Sequence, residues 1–190
     1  MTEVKYVSWG KPGVNGAIFA APIGTKLPTD SLSDLDEAFK SLGYVSEDGM
    51  ANEDTKETDS VKAWGGDTVL TTYVGKEDVY TYALIEALNV EVLKHVYGDD
   101  NVKGDLKTGI SIKSNSKPNE AHSIVIDMIL KGGILKRIVI PSGIVAEVGE
   151  ISYNDKDPIA YETTLNCQPD KDGNTHYEYM IEGKKGAENA

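Results

Sequence analysis

The sequence predicts a mainly β (α+β) fold in which antiparallel strands are accompanied by one α-helix. Short apolar segments recur through the second half of the chain, and turn-forming residues end each of them, which is the spacing of an antiparallel meander. Residues 85–97 differ, because their apolar side chains fall four positions apart, the period of an amphipathic helix. We therefore expect a sheet with one helix packed against it.

The N-terminal part predicts few regular elements. Residues 1–16 are rich in glycine and predict an arm that leads into a short apolar strand over residues 17–22. Farther along, Ser33 or Asp34 could cap a short helix over residues 35–42, which the following glycine would end. The arm is the part of this region in which we expect contacts with other molecules.

A strongly acidic segment follows. Residues 47–58 contain almost no apolar side chain, so this stretch is either a long exposed loop or a pair of protruding strand ends. Residues 69–84 alternate in the manner of strands, and a turn near residues 75–78 would divide them into an antiparallel hairpin. The helix over residues 85–97 would come next and end at Gly98.

The rest of the chain predicts strands separated by turns. Pro141, Ser142 and Gly143 together predict one such turn, and Asp172-Gly173 predicts another. The expected strands lie at 110–112, 123–130, 134–140, 144–153, 161–168 and 175–181. Residues 183–190 predict a short C-terminal tail.

Length and charge limit the possible classes of protein. A chain of 190 residues suits one domain, residues 1–190, that buries roughly 70% of its unfolded surface. Nineteen basic against thirty-one acidic side chains give a net charge of −12, which disfavours specific DNA binding. The single Cys167 has no partner for a disulfide, and no apolar run reaches the length of a membrane helix. We expect folding in the cytosol, without a membrane.

Motifs for catalysis or cofactor binding are absent from the sequence. It contains no nucleophile elbow, phosphate-binding loop, zinc-protease helix or Cys-x-x-Cys pair, so we expect no enzyme, cofactor or metal. The three histidines lie on different predicted elements and favour structural roles. Residues 170–174 weakly resemble a calcium loop, but their spacing favours a hairpin turn. Trp64 is equally compatible with a core anchor and with an interface residue.

Several local patterns together resemble the major tail tube proteins of long-tailed, non-contractile bacteriophages of Gram-positive hosts. The resemblance covers residues 9–101 well, and beyond them it depends on strand order and on residues 138–143. Its order and spacing are more informative than any single motif. The segments that carry it are Trp9-Gly10-Lys11-Pro12-Gly13, residues 42–49, Lys62-Ala63-Trp64-Gly65-Gly66-Asp67, and the helix with its ending, residues 85–101.

This resemblance implies an antiparallel β-sandwich flanked by one α-helix, which assembles as hexameric rings stacked into a hollow tail tube. The implied partners are other copies of the chain, the tape-measure protein, and the tail terminator and baseplate or distal tail proteins. DNA would pass through the lumen without specific binding during ejection. The implied location is the virion tail, with assembly in the host cytoplasm. We further expect alternate residues of 69–84 and of the strands between 123 and 140 to line the lumen.

Three segments are the expected contacts between rings or subunits: the arm 1–16, an extended stacking loop at about 47–62, and the tail 183–190. Two other interpretations remain open. One is another ring-forming phage structural protein, such as a tail terminator or decoration protein, and the other is a small acidic β-sandwich binding module. The individual residues that we expect at inter-ring or inter-subunit contacts are Trp9, Lys11, Glu47, Asp48, Glu53, Asp54 and Trp64.

Overall fold

The computed structural model describes residues 3–13 and 16–183. Within these residues the chain forms one nine-stranded antiparallel sheet and a small two-stranded sheet. Short 3-10 turns lie at Val4–Tyr6 and Asp99–Asn101. The other elements are β1 (Gly10–Pro12), β2 (Ile18–Pro22), β3 (Lys40–Ser41), β4 (Val45–Lys62), β5 (Thr68–Leu84), α1 (Val90–Tyr97), β6 (Val102–Lys103), β7 (Ser111–Ile112), β8 (His122–Leu130), β9 (Ile134–Val148), β10 (Tyr161–Gln168) and β11 (Tyr177–Glu182).

The large sheet has the strand order β3-β2-β8-β9-β10-β5-β4, with β1 also paired to β8 and β11 also paired to β9. Strand β9 changes neighbours along its length. Its first half pairs with β11 and its second half with β10. The change falls at Pro141, which has no N–H to donate to a ladder, and whose carbonyl accepts a 2.9 Å hydrogen bond from Ser123 Oγ. The turn predicted at residues 141–143 is therefore wrong, because one strand continues through it.

The two ends of this sheet cover one apolar core. Isoleucines of β2, β8 and β9 pack in the same cluster as aromatic and leucine side chains of β5 and β10, and α1 contributes Val92, Leu93 and Val96. A continuous sheet can bury one common core from both ends only if it folds over on itself. The predicted fold class, an antiparallel β-sandwich flanked by one helix, is confirmed.

A second, smaller cluster covers the opposite face of β2, β8 and β9. Val125 and Val139 point to this cluster, whereas their neighbours along each strand point to the main core, as the two-residue period of strands requires. Residues 27–39 cover the cluster and contribute Phe39. The helix predicted over residues 35–42 does not form, because Lys40 and Ser41 pair with β2 as strand β3.

Burial on both faces also corrects the prediction about the lumen. Residues 123–126 and 137–140 are buried inside the subunit, so these parts of β8 and β9 cannot line a channel.

The helix is shorter than predicted and begins at Val90 instead of residue 85. Asn89 has extended backbone geometry, and its side chain accepts a 3.0 Å hydrogen bond from Glu91 N, so it caps the helix. The apolar stripe is confirmed at Val92, Leu93 and Val96, which are buried. Gly98, with φ of 91°, ends the helix as predicted.

The helix also buries His95, whose Nε2 lies 2.8 Å from the hydroxyl of Tyr82. Burial, together with the neighbouring His122, lowers the pKa of His95 to about 3 from its ordinary 6.5. The folded protein therefore keeps this imidazole neutral at pH values where the unfolded chain takes up a proton. As the pH falls from 6.5 toward 3, the free energy of unfolding decreases by about 1.4 kcal/mol per pH unit from this group.

We expect replacement of His95 by glutamine to flatten that dependence. Urea unfolding of the wild type and of His95→Gln at pH 7 and pH 5 measures it. The wild type should lose about 2 kcal/mol more than the variant over this interval, because only the wild type has the titrating imidazole. Equal losses in the two proteins would show that His95 does not stay neutral in the fold.

Candidate assembly surface

The most prominent surface feature is a long hairpin formed by β4 and β5, which we call the projecting hairpin. Its strands pair from Met50 and Tyr82 to Lys62 and Thr68. The hairpin predicted within residues 69–84 is wrong, because residues 75–78 continue strand β5 and the turn lies at residues 63–67. Residues 47–62 are strand and not loop, which matches the alternative of protruding strand ends.

The projecting hairpin is exposed on both faces. Every residue from 51 to 74 is exposed, and none of them belongs to the apolar clusters of the described residues. Trp64 at the tip is fully exposed. The other exposed apolar side chains of the hairpin are Val61, Val69, Leu70, Tyr73 and Val74. An isolated two-stranded ribbon is at best marginally stable in water, so this surface favours contact with another molecule.

The tip is a tight turn that requires glycine. Ala63 N donates to the carbonyl of Asp67 at 2.8 Å, and Gly66 N donates to the carbonyl of Ala63 at 3.0 Å. Gly65 and Gly66 have φ of 116° and 99°, which side chains disfavour. This turn holds the indole of Trp64 at the end of the ribbon.

The two faces of the projecting hairpin differ in charge: one has only carboxylates among its charged side chains, and the other has lysines together with Asp54, which pairs with Lys76 at 3.0 Å. Residues directly opposite one another in an antiparallel pair share a face, and alternate residues along a strand return to it. Glu53, Glu57 and Asp59 therefore share one face, and Glu77, opposite Thr55, joins them. We call this the acidic face. The lysines of the ribbon lie on the other face, at positions 56, 62 and 76.

A buried carboxylate fixes the base of the hairpin. Asp78 is 2% exposed and accepts hydrogen bonds from Asn52 Nδ2 at 2.8 Å and from Thr175 Oγ1. His176 Nδ1 lies 2.6 Å from the same carboxylate. Lys76 Nζ adds a 3.0 Å hydrogen bond to Thr175. We call these five residues the Asp78 network, which ties β4 and β5 to the turn that precedes β11.

The charge of Asp78 is stabilised inside this network. Burial alone raises the pKa of its carboxyl, but the hydrogen bonds from Thr175, His176 and Asn52 outweigh burial and hold the pKa below the ordinary 3.8. Asp78 is therefore charged at neutral pH. From this network toward its tip, the hairpin extends away from the apolar clusters of the described residues.

The structure separates the predicted contact residues into two groups. Lys11 on β1 and Glu47 and Asp48 at the start of β4 line a common groove of about 580 Å³ at the open edge of the sandwich. Trp9, just before β1, is exposed. Glu53 and Asp54 lie on opposite faces of the hairpin, since they are adjacent in β4, and Trp64 is at its tip. Their role in contacts stays a prediction.

The predicted arm and tail lie partly outside the described residues. Residues 1–2, 14–15 and 184–190 are not described. Within the described part of the arm, the apolar side chains of Val4, Tyr6, Val7 and Trp9 are strongly exposed.

Sequence reasoning missed the Asp78 network. A signal for it exists, because Asp78 precedes Tyr80, Tyr82 and Leu84 at two-residue spacing, and these three side chains point into the core. An acidic residue in such a series is a buried charge that needs partners. Because a turn was predicted at residues 75–78, Asp78 was not assigned to the strand and the pattern was not recognised.

The described residues offer little for catalysis. No group of three or more His, Cys, Asp or Glu side chains among them could hold a metal ion. Cys167 is half-buried, and burial raises the pKa of its thiol to about 12, which keeps it protonated. No helix in the described part of the chain has the length and apolar character needed to span a membrane.

Comparison with known proteins identifies the family. A family model described as phage tail tube protein matches residues 12–189. The chain belongs to the phage tail tube protein family. No curated protein matches it. Membership implies a structural protein of the phage tail that assembles with copies of itself into a tube.

Proposed function

We propose that this chain forms hexameric rings that stack into the tube of a long, non-contractile tail, in a phage of a Gram-positive host. The main observation behind the proposal is the projecting hairpin. Its residues 51–74 are exposed, and its exposed apolar side chains lie outside the apolar clusters of the described residues. Contact with neighbouring copies would remove these side chains from water, at about 25 cal/mol per Å² of apolar surface. The tube is thus the state in which the hairpin is stable.

The edge of the sheet supports the same proposal. Strand β4 is the last strand in the order, and its outer edge is unpaired over the described residues. Long exposed edges promote uncontrolled pairing unless they are covered. Pairing between neighbouring copies in a closed ring would cover these edges, provided that the rotation between subunits closes the ring.

The proposed tube is the conduit for DNA ejection. Six copies carry a formal charge of 6 × −12 = −72 per ring, which disfavours binding of DNA phosphates. The tape-measure protein would occupy the lumen before ejection, and the tail terminator and baseplate or distal tail proteins would bind the two ends. Assembly would take place in the host cytoplasm and yield the tail of the virion.

Electron microscopy of the purified chain over a concentration series tests the tube. We expect hollow tubes with six-fold end views. Rings of another symmetry would contradict the hexamer. A chain that stays monomeric at every concentration, even when purified tail tips are added to initiate assembly, would contradict the proposal that it forms a tube.

A shortened hairpin tests the role of the ribbon. Deletion of residues 51–57 would suit a loop, but here it would remove seven of the eighteen residues of β4 and leave residues 75–81 of β5 without their partner on that side. The better variant excises residues 59–72 and joins Thr58 to Tyr73, which are opposite one another, through Asn-Gly. We expect this variant to keep the melting behaviour of the core and to form no tubes.

A milder variant provides the comparison for the shortened hairpin. Trp64→Ala keeps the length and backbone of the ribbon but removes its largest exposed apolar side chain. We expect it to form tubes at a higher protein concentration than the wild type does. Normal tubes from the shortened hairpin would contradict the assignment of the ribbon as an assembly surface.

A further inference from the structure

The acidic face of the hairpin has carboxylates without partners. Glu53, Glu57 and Glu77 form no salt bridge with any described residue, and Asp59 accepts only a hydrogen bond from the neighbouring Ser60 N. All four are exposed. Like charges this close on one surface repel one another, so the face is complementary to a basic surface.

A basic surface lies elsewhere on the same chain. Residues 102–119, which contain the small sheet β6–β7, carry four lysines and one carboxylate, a local charge of 4 − 1 = +3 in a protein of net charge −12. We call this segment the lysine lobe. Carboxylates at 99, 100 and 120 border it at its two ends. Its lysines are Lys103, Lys107, Lys113 and Lys117, all exposed and without a carboxylate partner among the described residues.

The lysine lobe is held in a defined shape. Asp105 Oδ1 accepts hydrogen bonds from the backbone N of Lys107 and of Thr108, each at 2.8 Å. Lys113 N donates to the carbonyl of Asn101 at 2.9 Å, which ties β7 to the end of the helix. A surface that is ordered before binding loses less conformational entropy when it binds. The backbone of the lobe should therefore lose little conformational entropy when a partner binds its lysines.

Apolar side chains accompany the charges on both surfaces. Val61 and Leu70, opposite one another near the tip, continue the acidic face and are exposed. Leu106 and Ile112 are exposed on the lysine lobe. Beside the lobe a groove of about 320 Å³ opens between Lys117 and the helix. The two surfaces thus match in charge and in exposed apolar groups.

We infer that the lysine lobe of one copy is the docking site for the acidic face of the projecting hairpin of a second copy. The inference rests on the proposed tube, and it names the surface that receives the hairpin there. Such a contact is head-to-tail, since each copy offers a hairpin to one neighbour and a lobe to another. It pairs carboxylates and lysines that the isolated subunit leaves unpaired.

Two charge-reversal variants test this contact. The hairpin variant is Glu53→Lys with Glu57→Lys and Glu77→Lys, which changes the acidic face from −4 to +2. The lobe variant is Lys103→Glu with Lys107→Glu and Lys113→Glu, which changes the lobe from +3 to −3. Each should raise the protein concentration needed for tube formation by about ten-fold or more, because like charges then meet at the contact. All six side chains are exposed, so the fold should remain, as circular dichroism and thermal unfolding can verify.

Rescue by mixing is the decisive measurement. In the hairpin variant both surfaces are basic, and in the lobe variant both are acidic. Neither variant should assemble well alone, but an equimolar mixture should form tubes, because each hairpin then meets a lobe of opposite charge. A chain with all six substitutions should also assemble with itself. Failure of both rescues, while the wild type forms tubes, would overturn the inference and leave the proposed tube intact.

Matched controls separate this contact from general charge effects. Lys26→Glu with Lys131→Glu and Lys156→Glu produces the same change in net charge as the lobe variant at three other exposed lysines, and it should assemble as the wild type does. A nucleic acid is the other ligand suited to a lysine-rich lobe. Binding of wild-type protein to DNA that the lobe variant loses, with tube formation unchanged, would also overturn the inference.

Discussion

Replacement of Asp78 by alanine is expected to destabilise the protein by about 3 kcal/mol and to release the base of the hairpin. Asp78 is 2% exposed, and its carboxylate accepts hydrogen bonds from Asn52 and Thr175 and contacts His176. Hydrogen bonds to a charged group contribute about 1.5–3 kcal/mol, and partners left unpaired in a buried site add a further cost. The loss should therefore exceed that of an ordinary surface substitution.

Urea unfolding measures this stability, and hydrogen exchange of residues 55–75 measures the opening of the ribbon. Asp78→Asn should lose less than Asp78→Ala, because its amide oxygen still accepts a hydrogen bond. Asp59→Ala removes an exposed carboxylate from the same hairpin and should change stability by no more than about 0.5 kcal/mol. An Asp78→Ala variant as stable as Asp59→Ala would show that the network does not hold the hairpin.

The pH dependence has a defined sign. The pKa of Asp78 is held below 3.8 in the fold, so its contribution is complete above that value and is lost as the pH falls through the folded pKa. The difference in stability between wild type and Asp78→Asn should therefore narrow as the pH falls below about 4.

The sequence predicted elements best where one face of an element is buried. The helix was found because Val92, Leu93 and Val96 recur on one side, and its true start was missed because Asn89 caps it within the apolar stripe. Most later strands were found from their apolar alternation. The continuation of β9 through Pro141 was missed, because a proline normally ends a strand, whereas here it lies where the strand changes partners.

The projecting hairpin was harder to predict because neither of its faces is buried. Residues 51–62 are exposed on both faces, so they have no alternation of apolar and polar side chains, and only pairing with β5 makes them a strand. Composition indicated a surface segment here but could not determine its conformation. The Asp78 network joins residues more than ninety positions apart in sequence, as between Asp78 and Thr175, which no local pattern reports.

Replacement of Arg137 by methionine is the second change expected to have a large effect, a loss of about 3–5 kcal/mol in the free energy of unfolding. Arg137 lies under the segment that covers the second apolar cluster. Its Nε and Nη2 donate to the two carboxylate oxygens of Asp127 at 2.7 and 2.9 Å. Its Nη1 donates to the carbonyls of Ser33 and Asp30 at 2.8 and 3.1 Å.

Methionine fills a similar volume but leaves the Asp127 carboxylate and both carbonyls without this donor. Arg137→Lys should restore only part of the lost stability, because an ammonium cannot donate in the planar fork that the carboxylate accepts. In the double variant Arg137→Met with Asp127→Leu no charge is left unpaired, so it should be more stable than Arg137→Met alone. Urea unfolding of the four proteins tests this. A double variant no more stable than Arg137→Met alone would show that the unpaired Asp127 carboxylate is not the main cost of losing Arg137.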